Sequence, residues 1–487
     1  MAGALSELAS FIAAGQPEGS KTARELLEAL FGDRYHRRHY TKTAIRDALR
    51  LGATEDSDQG VPFAGLINED NPESGPYGGT SLVWFPSKEH GSLIGLGVGT
   101  RGLSPDEGIL TRAGHRRRAA ALRRMLAKEG IEAWSKPDPA NLGVTIPKTT
   151  IERFSGFENA LKRYGREMYC MALVPKAASP ELSEKVVRAF LDLYSWERGW
   201  EIMATYRSER DELLGDLRRD LFPVITSDIV FQMLEERHFV VLQGPPGTGK
   251  TRMAQEVRDK HFAGNGMTIQ FHPAVTYEDF VVGLSPDIST ETSLRFSVRP
   301  GWLLHARDRA IEGRFLMVID EINRADLGKI LGEAIYLFEP DEVGKRTVEL
   351  AHPVKGITKL GIPENLCVLG TMNTADRSIA PVDLAIRRRF SFITMMPDRE
   401  VVASQGLDLA TDFYDRICDV FVEHAPEDAL DLLPGHSYFL AKDNDELKRR
   451  LGYELLPLID EYLRMGYLGP ATTELSAVRD ALEDAVR

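Results

Sequence analysis

Cysteine is scarce in this chain: three in 487 residues, Cys170, Cys367 and Cys418, odd in number and far apart. That usage excludes a disulfide framework and a cysteine-rich zinc site and favours a reducing compartment. Long apolar runs are missing as well, none reaching the roughly 18 residues of a membrane span, so no membrane association is expected. Residues 1–16 have no positive segment ahead of their apolar positions, so a secretory leader is not expected and a cytoplasmic location is. Positive charge is not in excess: 60 Lys+Arg stand against 73 Asp+Glu, a formal charge of −13. Nonspecific polyanion binding by the whole surface is thereby disfavoured, which leaves local basic clusters as the route to nucleic acid. Internal repeats and low-complexity tracts are absent. No clustered His or Cys and no paired-acid nuclease signature stands out, so no nuclease centre is expected in this chain.

What is present looks globular, with 43% hydrophobic and 27% charged residues. The length suggests about three domains. Residues 1–212 read as a mixed α+β domain. It has a helical start with Leu5, Leu8, Phe11 and Ile12 in phase, a turn-rich stretch over 56–79, and a hairpin from strands 82–85 and 93–98. An arginine-rich helix over 115–128, a strand over 169–174 and a helix opening at Pro180 follow. Residues 213–396 open with a helix and then alternate short apolar strands with helical stretches, the pattern of a parallel sheet flanked by helices. Residues 397–487 carry helical patterns only and read as a small helical domain.

The apolar run 239–242 is followed at once by Gly244, Pro245, Pro246, Gly247, Thr248, Gly249, Lys250 and Thr251, and then by a helical pattern. This is the phosphate-binding loop in its proper strand-to-helix setting. Its glycines let successive backbone N–H groups curl around a phosphate at the positive end of the helix. Lys250 supplies charge to the β- and γ-phosphates, and the Thr251 hydroxyl is a ligand for Mg²⁺. A second apolar run, 315–319, ends in Asp320 and Glu321. A strand apolar on both faces belongs at the centre of a parallel sheet, whose carboxyl end is where ligands bind. Asp320 is expected to hold Mg²⁺ through water and Glu321 to act as general base toward the attacking water.

A third strand, 366–370, runs into Thr371, Met372, Asn373, Thr374, Ala375, Asp376, Arg377 and Ser378, and Asn373 is placed to hydrogen-bond the lytic water or the γ-phosphate. Beyond it comes the basic run Arg387, Arg388, Arg389. Guanidinium groups suit the charge of a transferring phosphoryl group and are often supplied by a neighbouring subunit, although a solvated helix end is the plainer reading.

Together these segments resemble the AAA+ module of McrB-type restriction motors, over residues 221–440. The likeness rests on Phe271-His272-Pro273-Ala274-Val275-Thr276-Tyr277-Glu278-Asp279-Phe280 with Gly283, on Asp320-Glu321-Ile322-Asn323-Arg324-Ala325, on Met372-Asn373-Thr374-Ala375-Asp376-Arg377-Ser378, and on Gly435-His436-Ser437-Tyr438-Phe439. The resemblance implies an α/β AAA+ P-loop NTPase fold with a C-terminal helical lid behind an N-terminal α+β domain. It implies Asn373 as sensor 1, Asp376 and Arg377 ordering the water, and Arg387 and Arg388 as finger candidates facing the next protomer's γ-phosphate. A site completed by a neighbour requires a closing ring, and a hexamer is the family expectation. Such proteins drive a separate McrC-like nuclease subunit. The loop reads phosphates and not the base, which leaves ATP versus GTP undecided; the resemblance to AAA+ proteins in general makes ATP the expected substrate, with GTP as the alternative.

In that family the N-terminal domain varies and commonly recognises DNA. Two basic patches could neutralise phosphates here, 34–40 and 115–124, against the plainer reading of solvated helix faces. Trp84, Phe85 and Trp134 could stack on a base or be core residues. The leading reading is thus the motor subunit of a DNA restriction or phage-defence complex, and the alternative is a MoxR-like remodelling chaperone whose first domain grips protein clients.

Overall fold

The computed structural model of the chain describes residues 2–15, 23, 25–27, 29–30, 46–47, 61–67, 80–98, 113–137, 144–197, 215–287, 295–376 and 384–487. Contacts divide it into two compact units. One is Met1–Asp220 with Val422–Glu427 and Gly469–Ala471; the other is Leu221–Phe421 with Asp428–Leu468 and Thr472–Arg487.

The first unit is built on an antiparallel sheet. Strands β1 (Arg46–Asp47), β2 (Ala64–Ile67), β3 (Thr80–Ser87), β4 (Gly91–Val98), β5 (Ala133–Ser135) and β6 (Met168–Pro175) lie in the order β1-β2-β3-β4-β6-β5. The expected hairpin is β3–β4, with Trp84 opposite Ile94. Side chains alternate across a strand, and here both faces are covered. Val83, Phe85, Leu93 and Met171 join Phe154, Phe157 and Tyr164 in one core. On the opposite side the helices Ala2–Ala14 and Pro180–Glu197 pack against β4. Every residue of β4 is accordingly buried. Trp84, Phe85 and Trp134 are core residues, 2%, 2% and 8% exposed, so none of them forms a platform for a flipped base.

The arginine-rich helix spans Ala113–Lys128. Only part of its cationic face is turned to solvent. Arg116 pairs with Glu427 at 3.1 Å, Arg117 is buried and donates to the carbonyl of Val422 at 3.0 Å, Arg118 is buried, and Arg124 pairs with Asp220. The basic patch over 115–124 is therefore consumed in part inside this unit, Arg117 and Arg118 being buried, while Arg116 and Arg124 keep part of their side chains in solvent. The other basic patch, 34–40, lies outside the described residues.

The second unit holds five parallel strands, β7 (Phe239–Gly244), β8 (Gly266–Gln270), β11 (Phe315–Asp320), β14 (Leu366–Asn373) and β15 (Ser391–Thr394), in the order β15-β7-β14-β11-β8. Alternation again sets the layers. Val240 and Leu242 pack with Val230, Leu234, Ala254 and Val257 on the helices Ser227–Arg237 and Lys250–His261. Phe239 and Val241 face the other way, toward Leu303, Leu304 and Ala306 on the helix Trp302–Glu312. Two antiparallel hairpins that the hydrophobic pattern did not announce are added, β9 (Val282–Asp287) with β10 (Arg295–Pro300) and β12 (Val348–Val354) with β13 (Ile357–Leu360). After β15 the chain is helical, with the long helices Asp408–Glu423, Leu456–Met465 and Thr472–Val486. Among the described residues no helix is long and apolar enough to cross a membrane. Cys170, Cys367 and Cys418 are all buried and unpaired with one another.

Candidate functional site

The site forms where β7, β14 and β11 end side by side. Gly244 at the end of β7 is opposite Asn373 at the end of β14, and Ile319, next to Asp320 at the end of β11, is opposite Gly370. Between β7 and the helix Lys250–His261 the loop turns through Gly247 and Gly249, both at φ +78°, a left-handed conformation that a side chain would resist. Gly249 is the helix N-cap and offers no side-chain acceptor to the first-turn N–H groups, so these are available to an anion.

Lys250 is 7% exposed. Its ammonium donates to the carbonyls of Gly244 at 3.0 Å and Pro245 at 2.6 Å and lies 3.4 Å from Thr248 Oγ1. Burial lowers its pKa to about 8, against the smaller attraction of Glu321 and Asp320. A buried cation held by carbonyl and hydroxyl dipoles, with no ion pair among the described residues, is suited to receive phosphate charge.

Asp320 is the hub of an oxygen cluster. Its Oδ1 accepts from the Thr251 hydroxyl at 2.9 Å and from the Thr371 hydroxyl at 2.5 Å. Thr371 in turn accepts from the Glu321 backbone N–H at 3.2 Å. Carboxylate and hydroxyl oxygens of this kind suit Mg²⁺, which takes one or two protein ligands and completes its octahedron with phosphate and water oxygens. The residues present thus fit the metal.

Glu321 has φ +55°, an unusual value for a residue with a side chain and one found at functional sites. Three contacts hold it. Asn373 Nδ2 donates to its Oε1 at 2.6 Å, Arg324 Nε to its Oε2 at 3.2 Å, and its own carbonyl accepts from the Arg324 N–H at 2.9 Å. Asn323 Nδ2 lies 3.4 Å from the Asn373 carbonyl, while its Oδ1 and the Thr374 hydroxyl are buried without a hydrogen-bond partner among the described residues. Asp376 lies half-buried further along this loop, and Arg377 is outside the described residues.

Arg387 and Arg388 close the helix Leu384–Arg387 and its following turn with exposed side chains, and neither forms an ion pair among the described residues. Arg387 stacks over the Phe392 ring at 5.1 Å. Arg389 differs: it is buried and donates to the Ala385 carbonyl at 2.7 Å.

Lys250, Thr251, Asp320, Glu321 and Asn373, which the sequence places at or just after strand ends, lie together. Sequence reasoning gave no role to Thr371 or Arg324. Thr371 carried a signal, a hydroxyl on the outlet of a buried strand; Arg324 carried one in its spacing, three residues after Glu321. The segment 271–280 serves the frame. Phe271 and Phe280 meet edge to face at 5.8 Å, and Thr276 and Asp279 form a capping box for the helix Tyr277–Phe280.

Phosphate loop, acidic strand end and sensor amide on one parallel sheet, followed by helices, define an AAA+ P-loop NTPase fold. Residues 239–390 match the AAA domain of the dynein-related subfamily. Within that class the chain resembles McrB-type proteins. It is 29% identical over 348 residues to the Type IV methyl-directed restriction enzyme EcoKMcrB subunit of Escherichia coli K12, covering 65% of this chain and 75% of that protein. It is also 26% identical over 243 residues to the Type II restriction enzyme BsuMI component YdiS of Bacillus subtilis 168, covering 39% of this chain and 70% of that protein.

Proposed function

We propose that the chain is the nucleoside-triphosphate-hydrolysing motor subunit of a McrBC-like restriction or phage-defence complex, acting as a ring that drives a separately encoded nuclease. The observation that carries the reading is the meeting of Thr251, Asp320, Thr371, Glu321 and Asn373 at three adjacent strand ends, in a chain whose curated relatives are restriction components.

On this reading the loop 244–251 binds the β- and γ-phosphates of ATP, or of GTP, through backbone N–H groups and Lys250. Thr251, and Asp320 through water, would hold Mg²⁺, which when bound would supply positive charge to offset that of the phosphate oxygens. Glu321 accepts a proton from the attacking water once its Oε2 is released by Arg324, while Asn373 keeps the carboxylate aimed. Asp376 and Arg377 order that water. Arg387 and Arg388 are exposed because their target is the γ-phosphate held by the next subunit, which makes the ring, a hexamer in the family resembled, part of the active site.

The recognition module is residues 1–212, with DNA as its ligand. One observation favours the remodelling-chaperone alternative: the internal use of Arg117 and Arg118 removes cations on which DNA binding would have drawn. The test is recovery of the full-length chain from its own cells, mass spectrometry of what accompanies it, and a DNA cleavage assay with nucleotide. A nuclease partner whose cleavage stops with Glu321→Gln supports the motor reading. Protein clients without a nuclease, and hydrolysis indifferent to DNA, would replace it with the chaperone reading.

A further inference from the structure

The segment Gly435-His436-Ser437-Tyr438 is laid directly on the phosphate loop. Gly435 N–H donates to the Pro246 carbonyl and Ser437 N–H to the Gly247 carbonyl, both at 3.1 Å. The approach is so close that a Cβ on Gly435 would fall 2.1 Å from the Gly247 carbonyl carbon, so only glycine fits. Between these two anchors sits His436. Its Nδ1 accepts from the Asp398 backbone N–H at 3.2 Å. An imidazole that accepts at Nδ1 carries its proton on Nε2. Nε2 lies toward the helix N-cap at Gly249, 3.5 Å from where a Cβ on that glycine would stand. Burial lowers the His436 pKa, with Asp398 opposing and Arg252 adding to the shift, so the ring is a neutral donor at neutral pH.

We infer that His436 is a nucleotide-binding residue: its Nε2–H donates to a phosphate oxygen of the bound nucleotide, beside the contacts of Lys250 and the loop N–H groups. The inference rests on the nucleotide reading of the loop and extends it to the helical region. Asp398 is the N-cap of the helix Arg399–Ala403, its carboxylate accepting from Glu400 N–H at 2.9 Å. The same imidazole therefore joins that helix start on one side and the phosphates on the other, so that occupancy of the loop and the position of the 436–439 segment are coupled through a single ring.

Two amide replacements separate the ring's edges. His436→Asn keeps an acceptor near the Nδ1 position and loses the far donor; His436→Gln keeps a donor near the Nε2 position and loses the near acceptor. Isothermal titration of the full-length protein with ADP and with a non-hydrolysable ATP analogue is the readout, with the melting temperature of the nucleotide-free protein as folding control. His436→Ala and His436→Asn should bind about tenfold more weakly, and His436→Gln within about threefold of the parent. The ³¹P resonances of bound ADP should move in the Ala and Asn variants and stay in the Gln variant. Unchanged affinity in a folded His436→Ala protein would overturn the inference. So would the opposite ranking, Asn restoring and Gln failing, because the ring would then act only through Asp398. A parent protein that binds neither nucleotide would remove the nucleotide reading itself, and this inference with it.

Discussion

Two arginine clusters in this chain look alike on paper and are used in opposite ways. In the first unit Arg117 and Arg118 point inward, and Arg116 and Arg124 close ion pairs with Glu427 and Asp220. In the second unit Arg387 and Arg388 stand exposed at the end of a four-residue helix, and only Arg389 turns in. Helical register decides the difference. A run of cations marks neither a nucleic-acid face nor a catalytic finger until it is known which heads are already engaged. A cation buried against carbonyls stabilises its own unit, whereas one left in solvent is available to a partner.

The largest effect should come from the exposed pair. Arg387→Ala/Arg388→Ala is expected to lower steady-state hydrolysis by roughly 10³-fold or more with nucleotide binding kept. Mixing it with a Lys250→Ala subunit, which should bind no nucleotide, should restore part of the rate. If assembled mixed rings show no recovery, the outward arginines do not serve a neighbour and the comparison fails on that side.

Glu321→Gln tests the proposed base apart from these arginines. It should slow turnover by roughly 10²- to 10⁴-fold and leave equilibrium nucleotide binding intact, since a neutral amide can still be held by Asn373 and Arg324 but takes no proton. Phosphate release at the parental rate would remove Glu321 as base.

The inward cluster should behave differently. Arg117→Ala loses a hydrogen bond from a charged donor to the Val422 carbonyl and is expected to cost about 1.5–3 kcal/mol of stability, read as a lower melting temperature. Its effect on DNA affinity should be small. Each phosphate contact contributes about −0.9 to the slope of log K against log salt, so a slope flattened by that amount in Arg117→Ala would show the guanidinium leaving its buried place for DNA.

Lys250 lies between the two cases, buried like Arg117 yet without an anion. Burial lowers the pKa of its ammonium to about 8, opposed by the nearby Glu321 and Asp320. A bound triphosphate favours the charged form and raises that pKa, so binding takes up a proton above pH 8. Affinity should therefore fall as pH climbs from about 8 toward the ordinary lysine range, by up to about tenfold per pH unit, and be flat below. Titrations at pH 7, 8 and 9 decide it.

Much of the second unit was legible in sequence because its signals are local. Apolar runs ending in Gly244, Asp320 and Asn373 are strands whose tips carry the candidate site residues, and a parallel sheet brings such tips together. The hairpins β9–β10 and β12–β13 were not legible. They are short and half-exposed, with Leu284 and Phe296 in solvent, and so lack the strong pattern of a buried strand. The fate of Arg117 was illegible for another reason: its acceptor is the carbonyl of Val422, some three hundred positions along the chain, and no periodicity encodes a partner at that distance. Aromatics such as Trp84 could be read either way until the helices covering both sheet faces decided for the core.

The three buried thiols have a practical consequence. Cys367 is packed under the helix Ser227–Arg237 with its sulfur toward the Leu234 carbonyl at 3.8 Å, and burial pushes its pKa up to about 12. Cys170 sits equally deep, with its sulfur 3.9 Å from the Ala119 carbonyl, and Cys418 is 3% exposed. Alkylating reagents attack thiolates that are both ionised and reachable, and these groups are at best slow targets while the chain is folded. A single cysteine introduced at an exposed position, Leu384→Cys beside the outward arginines for example, would therefore take a maleimide dye or a crosslinker against an almost silent background. Assembly of the proposed ring could then be followed by fluorescence transfer without first removing a native cysteine.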